Sequence, residues 1–187
     1  MEIRRGTTED VDAVVGLLDD AVAWLAAQGR TGQWGTEPWS ARPSAVEPIR
    51  KRAERGELRI AELDGQVAGV VSVAEQPVRY ISPAGEPELY INLLVTARRV
   101  KGRGLGAALL AEARAEALRR GLPLLRVDCY GGDDGKLVAY YRSQGFTESG
   151  PFTVPLQDGS DWPGMLLAQR LDQPCPDQPC LDRPGDR

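Results

Sequence analysis

The segment "VTARRVKGRGLGAALLAEARAEALRRG", Val95 to Gly121, limits the fold of this chain more than any other. An apolar, β-rich run enters it, and an Ala/Leu-rich run with helical spacing leaves it. Between them stand Gly102, Gly104 and Gly106, two residues apart. Each glycine lowers helix stability by roughly 1 kcal/mol relative to alanine, so three of them at the mouth of a helix need a reason. A helix N-terminus presents unpaired N–H groups and a partial positive charge, which together suit an anion. Glycine also lets a bulky phosphate approach with no Cβ in the way. Arg98, Arg99, Lys101 and Arg103 add positive charge at this point, in a chain whose net charge is −4. The alternative is a glycine-rich connection that binds nothing and carries solvated charges. A nucleoside-triphosphate loop is excluded, because it ends in Gly-Lys followed by Ser or Thr and here Gly106 is followed by Ala107. A dinucleotide fold would set its glycines near the first strand, not past mid-chain.

Around this turn the chain reads as one α/β domain over residues 1–172, with a Pro-rich tail over residues 173–187 that is expected to be a mobile appendage. "EIRRG" opens as a strand, and Thr7 and Thr8 offer caps to a helix with Val11, Val14, Leu18, Val22 and Leu25 on one face. A loop with Trp34 and Trp39 follows, then a helix that Ser44 can cap. Asp64-Gly65 joins two β-rich runs as a hairpin. "PELYINLLV" alternates, with Leu89, Ile91, Leu93 and Val95 on one face and Glu88, Tyr90, Asn92 and Leu94 on the other, a polar face turned to water or to a cleft. After the glycine-turn helix come a strand in "PLLRVDCY", a short helix in "DDGKLVAYYRSQ", and two closing strands. No apolar run approaches the roughly 20 residues that span a bilayer. "MEIRRGTTEDVD" lacks a signal-peptide core, so a cytoplasmic protein is expected. The mixed charges argue against nucleic acid and for small or cationic ligands. The chain has no histidine, and a metal site is not expected.

Arg99-Val100-Lys101-Gly102-Arg103-Gly104 resembles the R/Q-x-x-G-x-G/A signature of the GNAT superfamily of acyl-CoA-dependent N-acyltransferases. "YYRSQGF", Tyr140 to Phe146, resembles that superfamily's second signature, a tyrosine four residues before Gly-Phe. The pair stands in the order the family requires, and the likeness extends over about residues 2–172. It implies a mixed, mostly antiparallel central sheet flanked by helices, with the strand–glycine turn–helix in the middle. It implies acetyl-CoA as donor, its diphosphate on the turn from Gly102 through Arg103, Gly104, Leu105 and Gly106 to Ala107, with Arg99 contributing. The pantetheine arm would run beside Leu94, Val95 and Thr96. Two departures stand out. One more residue separates Val95 from Gly102 than in the commonest pattern, and Asp134 occupies a position where an asparagine often reaches the arm.

The resemblance places Tyr141 beside the sulfur of the donor as general acid; the residue pattern alone also allows a buried core aromatic. Tyr140, next to it, is expected to pack. With no histidine, the base falls to a carboxylate, a water chain or solvent. Glu88 is the first candidate, directly or through water, since it shares a strand face with Tyr90 and Asn92; a solvated strand-end acid is the other reading. Asp128 is the weaker candidate, and Cys129 is expected to be structural. Trp34, Tyr90 and Asn92 are expected at the acceptor. The tryptophans either enclose an apolar or cationic amine or cover the edge of the core. Three functions remain open: acetylation of a small-molecule amine, acetylation of a protein lysine or N-terminus, and a CoA-binding sensor without turnover. A homodimer also stays open.

Overall fold

The structure, a computed structural model, describes residues 1–132, 134–156 and 159–171. The tail expected to be mobile lies outside the described residues. Strand β1 (Glu2–Arg5) leads through a short 3₁₀ turn into helix α1 (Val11–Ala27), and helix α2 (Pro43–Glu54) follows the tryptophan loop. Then come β2 (Leu58–Leu63), β3 (Gln66–Ala74), β4 (Glu88–Thr96), α3 (Leu105–Arg119), β5 (Leu124–Tyr130), α4 (Lys136–Ser143), β6 (Thr147–Pro155) and β7 (Asp161–Arg170). The seven strands form one sheet in the order β1-β2-β3-β4-β5-β7-β6. Among the described residues only β4 and β5 run parallel, and every other pairing is antiparallel. This is the mixed, mostly antiparallel sheet that the family resemblance implies. Helix α1 packs on β3 and β4 and against α2, α3 spans β2 to β5, and α4 rests on β5.

Local chemistry accounts for most boundaries. Thr7 accepts the N–H of Glu9, and the Asp10 carboxylate accepts the N–H of Thr7, a reciprocal cap ahead of α1. Arg4 reaches the same carboxylate with two N–H groups at 2.9 and 2.6 Å, tying β1 to the helix start. Helix α1 buries Val11, Val14, Val15, Leu17, Leu18, Ala21, Val22 and Leu25 against the sheet. The second helix departs from expectation: Ser44 does not cap it, because Pro43 already occupies its first position. Proline is preorganised there and lacks an N–H that would otherwise go unpaired. Asp64 takes φ of 53° and Gly65 φ of 73°, as a tight hairpin requires.

Strand β4 does not keep the alternation that the sequence suggests. Val73 pairs with Ile91 and Ser72 with Leu93, so Asn92 is an extra residue, a β-bulge. The parallel ladder between β4 and β5 covers only Glu88 to Ile91 against Leu124 to Val127. Beyond that point β4 stays on β3 and β5 stays on β7, and the two part. From Asn92 to Thr96, one edge of β4 is therefore open.

Glu116 on α3 gathers three arginines: Arg59 at 2.9 Å, Arg119 at 2.5 Å and Arg120 at 2.5 Å. Burial alone would push its carboxyl up, but the three hydrogen bonds outweigh it and hold the pKa down to about 2. Stability from this site is full above the ordinary value near 4.5 and is lost as pH falls towards about 2. Glu116→Gln is expected to cost about 1–3 kcal/mol in urea unfolding at pH 7. The gap between variant and wild type should close as pH falls through that window.

Candidate active site

Three cavities share walls along the opening between β4 and β5, and a fourth lies at the glycine turn. The turn cavity, about 360 Å³, is lined by Thr96, Arg98, Lys101, Gly102, Gly104 and the start of α3. It meets an arm cavity of about 420 Å³ between α1, β4 and α4, whose walls include Trp24, Leu94, Val95 and Thr96. Next comes a central cavity of about 210 Å³ in the gap itself, with Asn92, Asp128, Cys129 and Tyr141. Last is an outer cavity of about 750 Å³ under the tryptophan loop. Trp34 lines the arm, central and outer cavities.

The turn is built as its glycines suggest. Gly102 and Gly104 take φ of 83° and 75°, where side chains are disfavoured, and Gly104 stands immediately before α3. The N–H groups of Gly102, Gly104, Leu105, Gly106 and Ala107 find no acceptor among the described residues, and the first helical bond runs from Ala108 to Gly104. Arg98 lines both the turn and arm cavities, with its guanidinium carbon 3.6 Å over the Trp24 ring and its Nε buried without an acceptor. Burial, with Arg30 nearby, holds its pKa below the ordinary arginine value. Lys101 lines the same two cavities. Free donors, a half-buried cation and an open β edge fit an acyl-CoA: diphosphate at the turn, amide-bearing arm along β4.

Three residues expected at the donor are engaged or placed otherwise. Arg99 turns away and donates to the Val67 carbonyl at 3.1 Å, so the signature arginine braces the β2–β3 hairpin. Arg103 is exposed and does not line the turn cavity. Asp134 accepts from the Lys136 N–H and pairs with Arg30, each at 3.1 Å, which orders the entry to α4.

Tyr141 is buried, and its ring lines both the arm and central cavities. Its hydroxyl has no hydrogen-bond partner among the described residues, and burial pushes its pKa well above the phenol value. Cys129 beside it is a buried free thiol that burial pushes up to about 12, protonated and therefore a poor nucleophile. On the other face of β5 stands Asp128. It accepts hydrogen bonds from Tyr90 at 2.5 Å and Tyr80 at 3.2 Å and has no cationic partner among the described residues. Burial raises its pKa above the ordinary carboxylate range, with the two phenols opposing. Neighbours Asp128 and Cys129 point to opposite faces of β5, yet both line the central cavity, because the gap opens the sheet from one face to the other.

Glu88 is elsewhere. It is 4% exposed, bound through both oxygens to Arg126 at 2.5 and 2.7 Å, and it accepts the Ala84 N–H at 3.0 Å. Arg126 in turn donates to the Ser82 carbonyl at 2.8 Å. The first-choice base is thus a structural anchor, outside the lining of the central cavity, that fastens residues 75–87, the strap between β3 and β4 that carries Tyr80. Tyr90, expected at the acceptor, is fully buried and reaches the cavity only through Asp128. Asn92 does line the central cavity, as do Trp34 and Trp39. Trp162, which sequence reasoning passed over, joins them and donates its indole N–H to the Gln33 carbonyl at 3.0 Å. Its signal was indirect, a tryptophan at the first turn of a closing strand.

Residues 19–146 match the acetyltransferase (GNAT) family, more than half of the chain. The chain therefore belongs to the GNAT family and is an acetyltransferase, as the paired signatures predict. It is 27% identical over 143 residues to the uncharacterized N-acetyltransferase YesJ of Bacillus subtilis, covering 74% of this chain and 77% of that one. Its fold is similar to a ribosomal-protein-alanine N-acetyltransferase of Brucella melitensis, with TM-score 0.68, 25% identity, and 91% and 100% of the two chains covered. YncA of Salmonella typhimurium, solved with acetyl-CoA, has TM-score 0.67, 19% identity, and 96% and 99% covered.

The anchor role of Glu88 is testable. Glu88→Gln leaves Arg126 buried without its counter-charge and should lower stability by about 3–5 kcal/mol. Glu88→Leu/Arg126→Met should recover most of that in a thermal melt, because an apolar pair of similar size replaces the ions.

Proposed function

We propose that the protein transfers an acetyl group from acetyl-CoA to the primary amine of a small molecule, by direct attack while both substrates are bound. The observation that carries this reading is Asp128, a half-buried carboxylate without a cationic partner among the described residues, in a cavity walled by Trp34, Trp39, Tyr130 and Trp162. Such a box suits an ammonium group, which aromatic faces and a carboxylate both attract. Asp128 accepts the proton that the amine must lose, and its raised pKa makes it a better base than an exposed carboxylate. Tyr141 faces the same space and gives its hydroxyl proton to the departing sulfur as the carbon–sulfur bond breaks and the carbon–nitrogen bond forms. The second proton that the nitrogen loses returns the Tyr141 phenolate to phenol, and solvent takes the first from Asp128. The protonated state of Cys129 favours direct transfer over an acyl-cysteine route.

Protein acetylation is the second reading, since the Brucella relative carries a name of that kind. The strap at Tyr80 and the tryptophan loop favour a bounded pocket over a peptide groove. Thiol release from acetyl-CoA across amines, amino acids, polyamines and peptides tests both. Turnover of free amines supports the proposal, peptide-only turnover transfers it to protein acetylation, and binding without turnover leaves a sensor.

Two variants separate the chemical roles. Tyr141→Phe should keep acetyl-CoA affinity and lower kcat by about 10²–10⁴-fold. Asp128→Asn should lower kcat/KM by about 10²-fold or more where wild type has passed the raised carboxyl pKa and the amine is still mostly protonated. The loss should shrink as pH approaches the amine's own pKa, because free amine needs no base. A loss equal at every pH would make Asp128 a binding group only.

A further inference from the structure

Of the three turn glycines, Gly106 alone has no positive φ, so backbone conformation does not require a glycine there. The structure supplies a specific cause. A Cβ built on Gly106 would overlap the Tyr140 hydroxyl oxygen, while the next ring atom, Cζ, would lie 3.3 Å away. Tyr140 is a residue that sequence reasoning set aside as packing, yet it lines both the turn and arm cavities. Its hydroxyl meets no hydrogen-bond partner among the described residues and lies against the second residue of α3. Around it are the unpaired N–H groups of Leu105, Gly106 and Ala107.

We propose that Tyr140 is a further donor-binding residue, whose hydroxyl hydrogen-bonds the diphosphate of the acyl donor beside the α3 N-terminus, and that Gly106 exists to let that hydroxyl in. The inference rests on the acetyl-CoA reading and adds to it a residue and an atom. The chemistry is suited to the place. A phenol is a neutral donor, so it strengthens an anion site already flanked by Arg98 and Lys101 without adding charge. Desolvation raises the Tyr140 pKa, with Arg114 opposing, which keeps the group a donor at neutral pH. The two adjacent tyrosines of α4 thus divide one substrate between them: Tyr141 reaches its sulfur end and Tyr140 its phosphate end.

Calorimetric titration with acetyl-CoA and steady-state kinetics with two donors test this. Tyr140→Phe should weaken acetyl-CoA binding by about tenfold, the worth of one hydrogen bond to a charged group, with little change in melting temperature. With acetyl-pantetheine, which lacks the diphosphate and nucleotide, the loss in kcat/KM should shrink to less than about twofold, within the spread of a contact that is absent. Gly106→Ala should weaken acetyl-CoA in the wild-type background and be largely tolerated alongside Tyr140→Phe, because the overlapping atom has gone. An unchanged dissociation constant in Tyr140→Phe, or an equal loss with acetyl-pantetheine, overturns the proposal. Additive effects of the two substitutions overturn the account of Gly106. Failure of the wild type itself to bind acetyl-CoA removes the donor reading first, and this inference with it.

Discussion

Everything that can act on a substrate in this protein depends on where the parallel pairing of β4 and β5 stops. Four register pairs hold the strands together, from Glu88 with Leu124 to Ile91 with Val127. The extra residue Asn92 then turns β4 away, since a bulge bends its strand and increases the local twist. The consequences are joint. The edge of β4 loses its partner where an amide-bearing arm needs one, and the sheet opens so that groups from both faces share one cavity. Without the bulge, Tyr141 and Asp128 would be separated by a continuous sheet.

Charge is arranged along the same opening. The chain is acidic overall, yet Arg98 and Lys101 gather at the turn, while a carboxylate without a cationic partner among the described residues stands in the central cavity. An anionic donor and a cationic acceptor would each meet the opposite sign at their own end. Burial makes Asp128 more basic and keeps Tyr141 and Cys129 protonated. A chain without histidine can still perform proton transfer when solvent exclusion moves carboxylate and phenol from their ordinary values.

What could be read from the sequence follows the range over which each signal acts. The glycine turn and the Tyr-x-x-x-Gly-Phe helix are local signals, so the family and the two elements that carry its signatures were legible. Strand alternation placed Glu88, Tyr90 and Asn92 on a common face, but the bulge is a property of pairing with β3 and cannot be seen in β4 alone. The ion pair that holds Glu88 was hidden for the same reason. Which acid finds an arginine depends on the register of β4 against β5, some 38 residues apart. Arg99 illustrates the converse: it fits the motif by position, while the hairpin carbonyl that takes it belongs to another part of the chain.

The open seam also bears on how the molecule holds together in time. Antiparallel neighbours β2–β3 and β6–β7 are close in sequence, whereas β4 and β5 meet only after the α3 crossover, a contact with a higher closure cost. The sheet is thus two well-zipped wings joined by a short central stitch. A ligand lying in the seam touches both wings, so it acts as a missing rung of the ladder. Its binding free energy adds to the cohesion of the wings by mass action, and the seam should be where the empty protein breathes most readily.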